Sequence, residues 1–349
     1  MIKTRNLNRL CLGVICILCL CTSAPLHSED GKIKRSQNAL PFVTVRDRTG
    51  DDDPKEYFGD ERSSEVSGWC DVQQTTVPAL STLIEKAPIR IPGEFLKVVA
   101  IREADRSEIY AAFEAASTKR APVLYTHGYN VGFEKGCRRA TALQENANLK
   151  DKFFWFSWPA DGVLTNYMRD ETDLFWSAPS LTDLIAEMSE RFAPQSVSIV
   201  GHSLGGRGIV LAMYIMAAQH PSVTLDNAVL LAPDMDFETF ARILPSIRDK
   251  AARITVYTAI DDRALDVSEK LHGYPRLGQS GNPVEILEGV EVIDISELRD
   301  DSASGHLYHV YGTRVGQDLD RLINKGLGAA ERDGLVRIGH NHWSLVGED

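Results

Sequence analysis

The sequence has 349 residues, of which 43% are hydrophobic and 25% charged, and its formal net charge is −11 at pH 7. This length and apolar content are sufficient to bury one sizeable α/β core, and no repeat or coiled-coil pattern is present. An acidic surface repels nucleic acid and anionic membranes, so the composition argues against both as partners and leaves the oligomeric state open.

Residues 1–23 have the features of a secretory signal peptide. Basic residues precede an apolar run over residues 10–21 that is too short to span a bilayer, and small residues follow. Cleavage after Ser23 fits better than cleavage after Ala24, because Pro25 comes next. The cysteines at the end of the run each follow leucine, where a lipoprotein site has a small residue. We therefore expect export to the periplasm or the medium, without a lipid anchor or a membrane span in the mature form.

Residues 24–65 are polar and charged, and they are expected to form a mobile leader with little structure before Tyr57. A single α/β domain is then expected over residues 66–349. Cys70 and Cys137 remain after signal cleavage. They either form one disulfide in an oxidising compartment or stay as two buried thiols, and their spacing is not that of metal ligands.

Runs of β-forming residues alternate with helical patterns along this domain. Alternating strands and helices form a mostly parallel sheet with helices on both faces, whose binding edge lies at the carboxyl ends of the strands. Only residues 233–253 separate two strands where many lipases insert a lid, so no large lid domain is expected. A helix is predicted over residues 107–117. The predicted strands cover residues 70–77, 96–101, 123–126, 153–158, 197–200, 228–232, 254–259 and 292–295.

A Gly-x-Ser-x-Gly turn, formed by Gly201, Ser203 and Gly205, lies between a β-branched run and a long apolar segment. A strand that reverses into a helix through so tight a turn strains the central residue, and glycine on either side removes the Cβ atoms that would clash. The serine is then presented at the carboxyl edge of the sheet, in front of a helix N-terminus. Ser203 is therefore the candidate nucleophile of a hydrolase.

Two other interpretations of this turn compete. A plain strand-to-helix loop with a capping serine would have no chemical role. A dinucleotide-binding loop would use Gly201, Gly205 and Gly208, with Asp234 as the acid that binds ribose. Such loops normally open a domain near its N-terminus, whereas this turn lies behind several earlier strands.

The His-Gly-Tyr-Asn loop at residues 127–130 follows the third predicted strand and is expected to lie beside Ser203. Its glycine allows backbone N–H groups to turn toward the site. The amides of Tyr129 and Leu204 are therefore the candidates for an oxyanion hole. His127 precedes the nucleophile in a loop whose backbone is needed, and it is interpreted as structural.

A catalytic acid and then a histidine are expected after the nucleophile. His306 follows a glycine in a loop of small residues and can project into the site, whereas His309 starts an apolar patch. Asp261 and Asp262 compete as the acid, and Asp262 is favoured. Because neighbours in an extended segment point opposite ways, only one of them is expected to reach the histidine.

Asp234, like Asp261, is a second choice for the acid. For Asp234 and its neighbour Asp236, capping of the helix that follows is the simpler role. His340 and His342 form a His-x-His pair near the polar C-terminus. They are interpreted as surface residues because no third ligand has an obvious spacing from them.

Several short motifs, spread over most of the chain, together resemble those of a known family. They are Tyr57-Phe58-Gly59 with Arg62, His127-Gly128-Tyr129-Asn130 with Phe133, Phe156-Ser157-Trp158-Pro159 with Gly162 and Tyr167, the turn at residues 201–205, Ala232-Pro233-Asp234, Asp262-Arg263-Ala264-Leu265 and Gly305-His306-x-Tyr308. With these motifs the chain resembles the α/β-hydrolase superfamily and, more narrowly, a bacterial family of largely uncharacterised esterase-like or lipase-like hydrolases. The resemblance implies an α/β-hydrolase fold and supports Asp262 over Asp261 and His306 over His309. Asp261 is a departure, because such relatives more often have a neutral polar residue there.

The expected activity is that of a serine hydrolase acting on a small-molecule acyl ester, with Ser203, His306 and Asp262 as a catalytic triad and no cofactor or metal. Carboxylic ester, thioester, phospholipid and amide substrates fit the motifs equally well. The alternatives from other classes are a non-catalytic binding or envelope-associated module and an oxidoreductase that binds a nicotinamide cofactor.

Overall fold

Eleven strands form one sheet within the described part of the computed structural model, which comprises residues 37–74, 96–116, 122–163, 165–192, 197–298 and 305–347. The predicted signal peptide lies outside these residues. The spatial order of the strands is β10-β11-β9-β8-β7-β6-β4-β5-β1-β2-β3. In chain order they are β1 (Gln37–Arg48), β2 (Phe58–Gln74), β3 (Leu96–Glu103), β4 (Val123–Thr126), β5 (Phe153–Ser157), β6 (Ser198–His202), β7 (Leu225–Leu231), β8 (Ala251–Thr258), β9 (Val290–Asp294), β10 (Leu335–Arg337) and β11 (His342–Leu345).

Parallel pairing runs through the middle of the sheet, from β1 through β5, β4, β6, β7, β8 and β9 to β11. The two ends are antiparallel, with β2 and β3 beyond β1 at one end and β10 beyond β11 at the other. Every residue of β4, β5 and β6 is buried, as in a parallel sheet that is covered on both faces. The expected mostly parallel α/β fold is confirmed.

Helices cover both faces of this sheet. Residues alternate between the faces along each strand, and in β4 Leu124 packs in one core cluster while Val123 and Tyr125 pack in the other. Within the described ranges, no helix is long and apolar enough to cross a membrane. The helices are α1 (Arg106–Ala115), which matches the predicted one, α2 (Phe133–Asn146), α3 (Tyr167–Phe192), α4 (Leu204–Gln219), α5 (Phe237–Ile247), α6 (Arg263–His272), α7 (Tyr308–Tyr311) and α8 (Thr313–Leu319).

Strand β1 shows that the expectation of little structure before Tyr57 is wrong for residues 37–56, while residues 24–36 of the predicted leader lie outside the described part of the chain. This strand lies inside the sheet between β5 and β2, where Phe42 pairs with Trp155. Charged residues surround its apolar run, so the polar composition of the whole segment concealed a strand that is buried by distant parts of the chain. The folded domain therefore begins before residue 66. The buried apolar residues of β1 are Leu40, Phe42, Val43 and Val45.

The two cysteines that lie outside the predicted signal peptide are joined in the structure. Cys70 of β2 forms a disulfide with Cys137 of α2, and their Cα atoms are 6.7 Å apart. Both residues are buried in the same core cluster. Of the two alternatives that the sequence leaves open, the structure has the bridge, which fastens the antiparallel end of the sheet to a helix that covers it.

Candidate active site

Ser203 lies between the end of β6 and the start of α4, and its backbone is strained. Its φ is 55° and its ψ is −123°, a conformation that costs about 1–3 kcal/mol for a residue other than glycine. Backbone hydrogen bonds hold it there: Ser203 N–H donates to Leu231 O at 2.9 Å, and Ser203 O accepts from the N–H groups of Gly206 at 2.9 Å and Asp234 at 3.1 Å. The surrounding chain thus fixes the turn that the sequence predicts.

Glycine is required on both sides of this turn by direct backbone contact. A Cβ on Gly201 would lie 2.6 Å from the carbonyl oxygen of Gly205, and a Cβ on Gly205 would lie 2.4 Å from the carbonyl oxygen of His127. Both clashes are with backbone atoms, which cannot move without disturbing the sheet edge. The two glycines therefore serve close packing around the serine.

Asp234 is fully engaged in a buried network close to the turn. Its Oδ1 accepts from Ser268 Oγ at 2.6 Å and from Arg276 Nε at 2.8 Å, and its Oδ2 accepts from Tyr167 OH at 2.6 Å. This carboxylate is neither a partner of the candidate histidine nor an available ligand for ribose. Asp236 caps α5 instead, since its side chain accepts from the N–H of Thr239.

His306 and Asp262 are hydrogen-bonded to each other. The distance from His306 Nδ1 to Asp262 Oδ2 is 2.6 Å, and the aspartate is fully buried. Asp262 Oδ1 also accepts from the N–H groups of Ala264 at 3.1 Å and Leu265 at 3.0 Å, so the residue is the N-cap of α6. The adjacent Asp261 is exposed. The structure therefore brings the favoured acid, and not its neighbour, to the histidine.

His202 links the loop of the candidate histidine to the strand that ends directly before Ser203. Its Nε2 donates to the carbonyl oxygen of His306 at 2.9 Å, and the two imidazole rings are 4.5 Å apart. The ring of His309 stacks on that of His202, with the ring centroids 4.0 Å apart. Sequence reasoning missed His202, and its place directly before Ser203 is the signal that could have identified it.

The His-Gly-Tyr-Asn loop lies directly against Ser203. A Cβ on Gly128 would lie only 2.8 Å from Ser203 Cβ, so the backbone of this loop is packed against the serine. Tyr129 is the next residue after Gly128 in this loop. Leu204 is the first residue of α4, and the first amides of a helix have no acceptor within it. Both candidate oxyanion donors are therefore in segments that adjoin Ser203.

His127, the first residue of this loop, is buried. Its ring stacks on Trp158 at 4.9 Å with an interplanar angle of 11°, and its Nδ1 donates to Gly128 O at 2.8 Å. Burial lowers the pKa of His127 to about 3, so the ring is neutral in the physiological range. These contacts favour a structural role.

Three neutral buried histidines predict acid-sensitive stability. Burial lowers the pKa of His127 to about 3 and that of His202 and His309 well below 6.5. Unfolded histidine binds a proton near pH 6.5 while the folded protein does not, so the free energy of unfolding should fall as the pH drops below 6.5. Each such histidine contributes up to about 1.4 kcal/mol per pH unit.

Urea denaturation at several pH values tests this prediction. Neither ring nitrogen of His309 has a hydrogen-bond partner, so His309→Phe should retain its stability at pH 8. It should also reduce the slope of the free energy of unfolding against pH below pH 6.5. Replacement of the exposed His340 by alanine is the control and should leave the slope unchanged. A slope that is the same in His309→Phe and in the wild type would contradict the assignment.

The remaining C-terminal histidine, His342, lies in β11 with its Nε2 3.9 Å from Asp294 Oδ2. Within the described ranges, no group of three or more His, Cys, Asp or Glu side chains could hold a metal ion.

The parallel sheet, the strained serine after β6 and the paired histidine and aspartate after later strands define an α/β hydrolase. The chain belongs to the family described as alpha/beta hydrolase of unknown function (DUF900), which matches residues 102–324. That match is more than half of the chain and includes Ser203, Asp262 and His306.

Individual relatives are distant. The uncharacterized protein alr1448 of Nostoc sp. is 25% identical over an alignment of 130 residues, with 30% of this chain and only 34% of that protein covered. A predicted CIB-like hydrolase from Thermoplasma acidophilum is 14% identical, with 83% of this chain and 99% of that chain covered and a TM-score of 0.39. For an esterase from Pyrobaculum calidifontis the identity is also 14%, the coverage 60% and 79%, and the TM-score 0.36.

Proposed function

We propose that the protein is a serine hydrolase that cleaves carboxylic esters or related acyl compounds through an acyl-enzyme, with Ser203, His306 and Asp262 as its triad. The observation that carries this proposal is the 2.6 Å bond between His306 Nδ1 and Asp262 Oδ2. Because Nδ1 is committed to the aspartate, Nε2 is the ring nitrogen that can accept a proton. The bond from His202 Nε2 to the carbonyl oxygen of His306 ties the loop that carries this histidine to the strand that ends directly before Ser203.

The acylation step uses each of these groups in turn. Ser203 Oγ attacks the acyl carbonyl carbon while His306 Nε2 takes its proton, and Asp262 stabilises the imidazolium that forms. The carbonyl oxygen becomes an oxyanion, which the N–H groups of Tyr129 and Leu204 stabilise. The C–O bond to the alcohol then breaks, and His306 returns the proton to the leaving oxygen.

Water completes the cycle by the same route. His306 removes a proton from the water as its oxygen attacks the acyl carbon, and the bond to Ser203 Oγ breaks as the serine regains a proton. The products are a carboxylic acid and an alcohol, and no cofactor is needed. The strained backbone of Ser203 keeps the oxygen at the sheet edge through both steps.

A panel of p-nitrophenyl acyl esters of increasing chain length, assayed with the mature protein, tests this function. We expect turnover of at least one ester, with a preference that reports the size of the acyl site. The matching thioesters and anilides then define the leaving group. Folded protein that hydrolyses none of these compounds would support the alternative of a non-catalytic binding module.

Export is part of the proposal, since residues 1–23 have the pattern of a signal peptide. The Cys70–Cys137 disulfide supports it, because disulfides persist in oxidising compartments. Fractionation of cells that express the full chain should place the protein in the periplasm or the medium. Recovery in the cytoplasm with free thiols would contradict this.

The contact between Gly128 and the nucleophile gives a further prediction. In Gly128→Ala the new methyl group would lie 2.8 Å from Ser203 Cβ and 3.0 Å from His202 Nδ1, so the loop or the serine must shift. We expect kcat to fall by about 10²-fold, the cost of a displacement on the ångström scale.

Gly132→Ala is the matched control in the same loop, because a Cβ there has no neighbour within 4 Å. It should lose up to about 1 kcal/mol of stability as the N-cap of α2 and keep nearly all activity. Equal loss of kcat in both variants would contradict the contact argument.

A further inference from the structure

Asp170 is a fully buried carboxylate in the first turn of α3, and it holds two loops through their backbones. Its Oδ2 accepts from the N–H of Asn130 at 3.0 Å, and its Oδ1 accepts from the N–H of Asp161 at 2.9 Å. Asn130 directly follows Tyr129, the proposed oxyanion donor. The carboxylate therefore fixes the peptide group next to the one that carries that donor.

Arg46 of β1 holds the same two loops by their carbonyl groups. It is buried, and it donates from Nη2 to Val131 O at 2.8 Å and from Nη1 to Ala160 O at 2.8 Å. Ala160 O and Asp161 N–H belong to one peptide group. The guanidinium of Arg46 therefore binds one side of that peptide group, and the carboxylate of Asp170 binds the other. Both also bind the backbone of residues 130–131, directly after Tyr129.

The loop needs this support because Asn130 has a φ of 58°. The left-handed region costs a non-glycine residue free energy, and such a conformation persists only where the surroundings over-determine it. The hydrogen bonds of Asp170 to Asn130 N–H and of Arg46 to Val131 O act on either side of this strained residue. They fix the direction in which the preceding peptide groups point.

Burying two charged groups is expensive, so their burial is weak evidence for a gain in stability. Burial raises the pKa of Asp170 to about 6 and lowers the pKa of Arg46 to about 10, so both groups bear this cost. Each oxygen of the carboxylate accepts from the N–H of a loop residue, Asn130 for Oδ2 and Asp161 for Oδ1. Its placement is therefore better explained by loop geometry than by global stability.

We propose that Asp170 is a positioning residue, which acts with Arg46 to hold the backbone at Asn130 so that the Tyr129 amide faces the oxyanion. This inference rests on the proposed serine hydrolase function. It predicts that loss of the carboxylate weakens binding of the transition state more than binding of the ester, because the oxyanion forms only in the transition state.

Asp170→Asn tests the proposal. The amide side chain keeps one oxygen acceptor but turns an NH₂ group toward the second backbone donor, so one of the two loop bonds is lost. We expect kcat to fall by about 10²-fold with KM nearly unchanged. The affinity for phenylboronic acid, which forms a tetrahedral adduct on the serine, should fall by a similar factor.

Asp173→Asn is the matched control, since Asp173 lies one turn further along α3 and is also buried, but its carboxylate binds Arg62 Nε at 2.6 Å. It should keep wild-type kcat and boronate affinity. Asp170→Glu retains the charge but displaces the carboxylate, and it replaces Asp170→Asn in the test if that variant does not fold. It should likewise lower kcat at unchanged KM.

The outcomes separate the two claims. An active wild type with unchanged kcat in the Asp170 variants, or with equal losses in Asp173→Asn, would overturn the positioning role alone. A rise in KM with unchanged boronate affinity would also overturn it. Absence of hydrolysis by the folded wild type would overturn the proposed function and this role with it.

Discussion

Replacing Ser203 by alanine is expected to lower kcat/KM for acyl esters by about 10⁶-fold, because the variant lacks the oxygen that forms the acyl-enzyme. The fold should be retained. The turn is held by the backbone of Ser203, through Leu231 O and through the N–H groups of Gly206 and Asp234, and these bonds do not involve the hydroxyl. Initial rates corrected for spontaneous hydrolysis measure the effect, with urea denaturation as the test of folding.

Ser198→Ala is the matched control for this experiment. Ser198 is a buried serine in β6, the strand that ends directly before Ser203, and its hydroxyl accepts from Asn227 Nδ2 at 3.0 Å. Loss of that bond should cost about 1–3 kcal/mol of stability and leave kcat close to the wild type. Comparable loss of activity in both serine variants would mean that the effect of Ser203→Ala is not chemical.

Replacing Asp262 by asparagine is expected to lower kcat by about 10⁴-fold. An amide cannot stabilise the imidazolium of His306, and it can hold the ring in the wrong tautomer. Asparagine is as good an N-cap as aspartate, so α6 should remain formed. The pre-steady-state burst of p-nitrophenol should be slowed by the same factor as kcat if acylation is affected.

Asp261→Asn provides the control that the chain itself offers. It makes the same Asp-to-Asn substitution as Asp262→Asn, but one residue earlier and at an exposed position. We expect activity within a few-fold of the wild type, because exposed substitutions away from a site change energies by only about 0.5 kcal/mol. A large loss in Asp261→Asn with an active Asp262→Asn would reverse the assignment of the acid.

Short-range patterns in the sequence predicted much of the molecule. The apolar runs that became β4, β5 and β6 are buried along their whole length, so their hydrophobicity alone marks them. The turn around Ser203 is similarly local, since the glycines that it requires lie two residues away on either side. The order of Ser203, Asp262 and His306 along the chain was also readable, because each residue follows a predicted strand.

Features that depend on distant contacts were not predictable in the same way. β1 is surrounded by charged residues and becomes buried only by pairing with β5, where Thr44 donates to Ser157 O across 113 positions of sequence. Arg46, on the same strand, would be expected at the surface because it is charged. Its burial becomes understandable only from the distant backbone carbonyl groups that accept its hydrogen bonds. The choice between Asp261 and Asp262 likewise depended on where α6 begins. Asp262 is the N-cap of this helix, and that position turns its side chain toward His306.

Covalent labelling of the mature protein with a fluorophosphonate probe, followed by intact-mass and peptide mass spectrometry, tests the central claim most directly. The claim predicts a single adduct on Ser203, lost in Ser203→Ala and much slower in Asp262→Asn. Folded wild-type protein that takes up no probe, or that carries it on a residue other than Ser203, would contradict the assignment of the nucleophile.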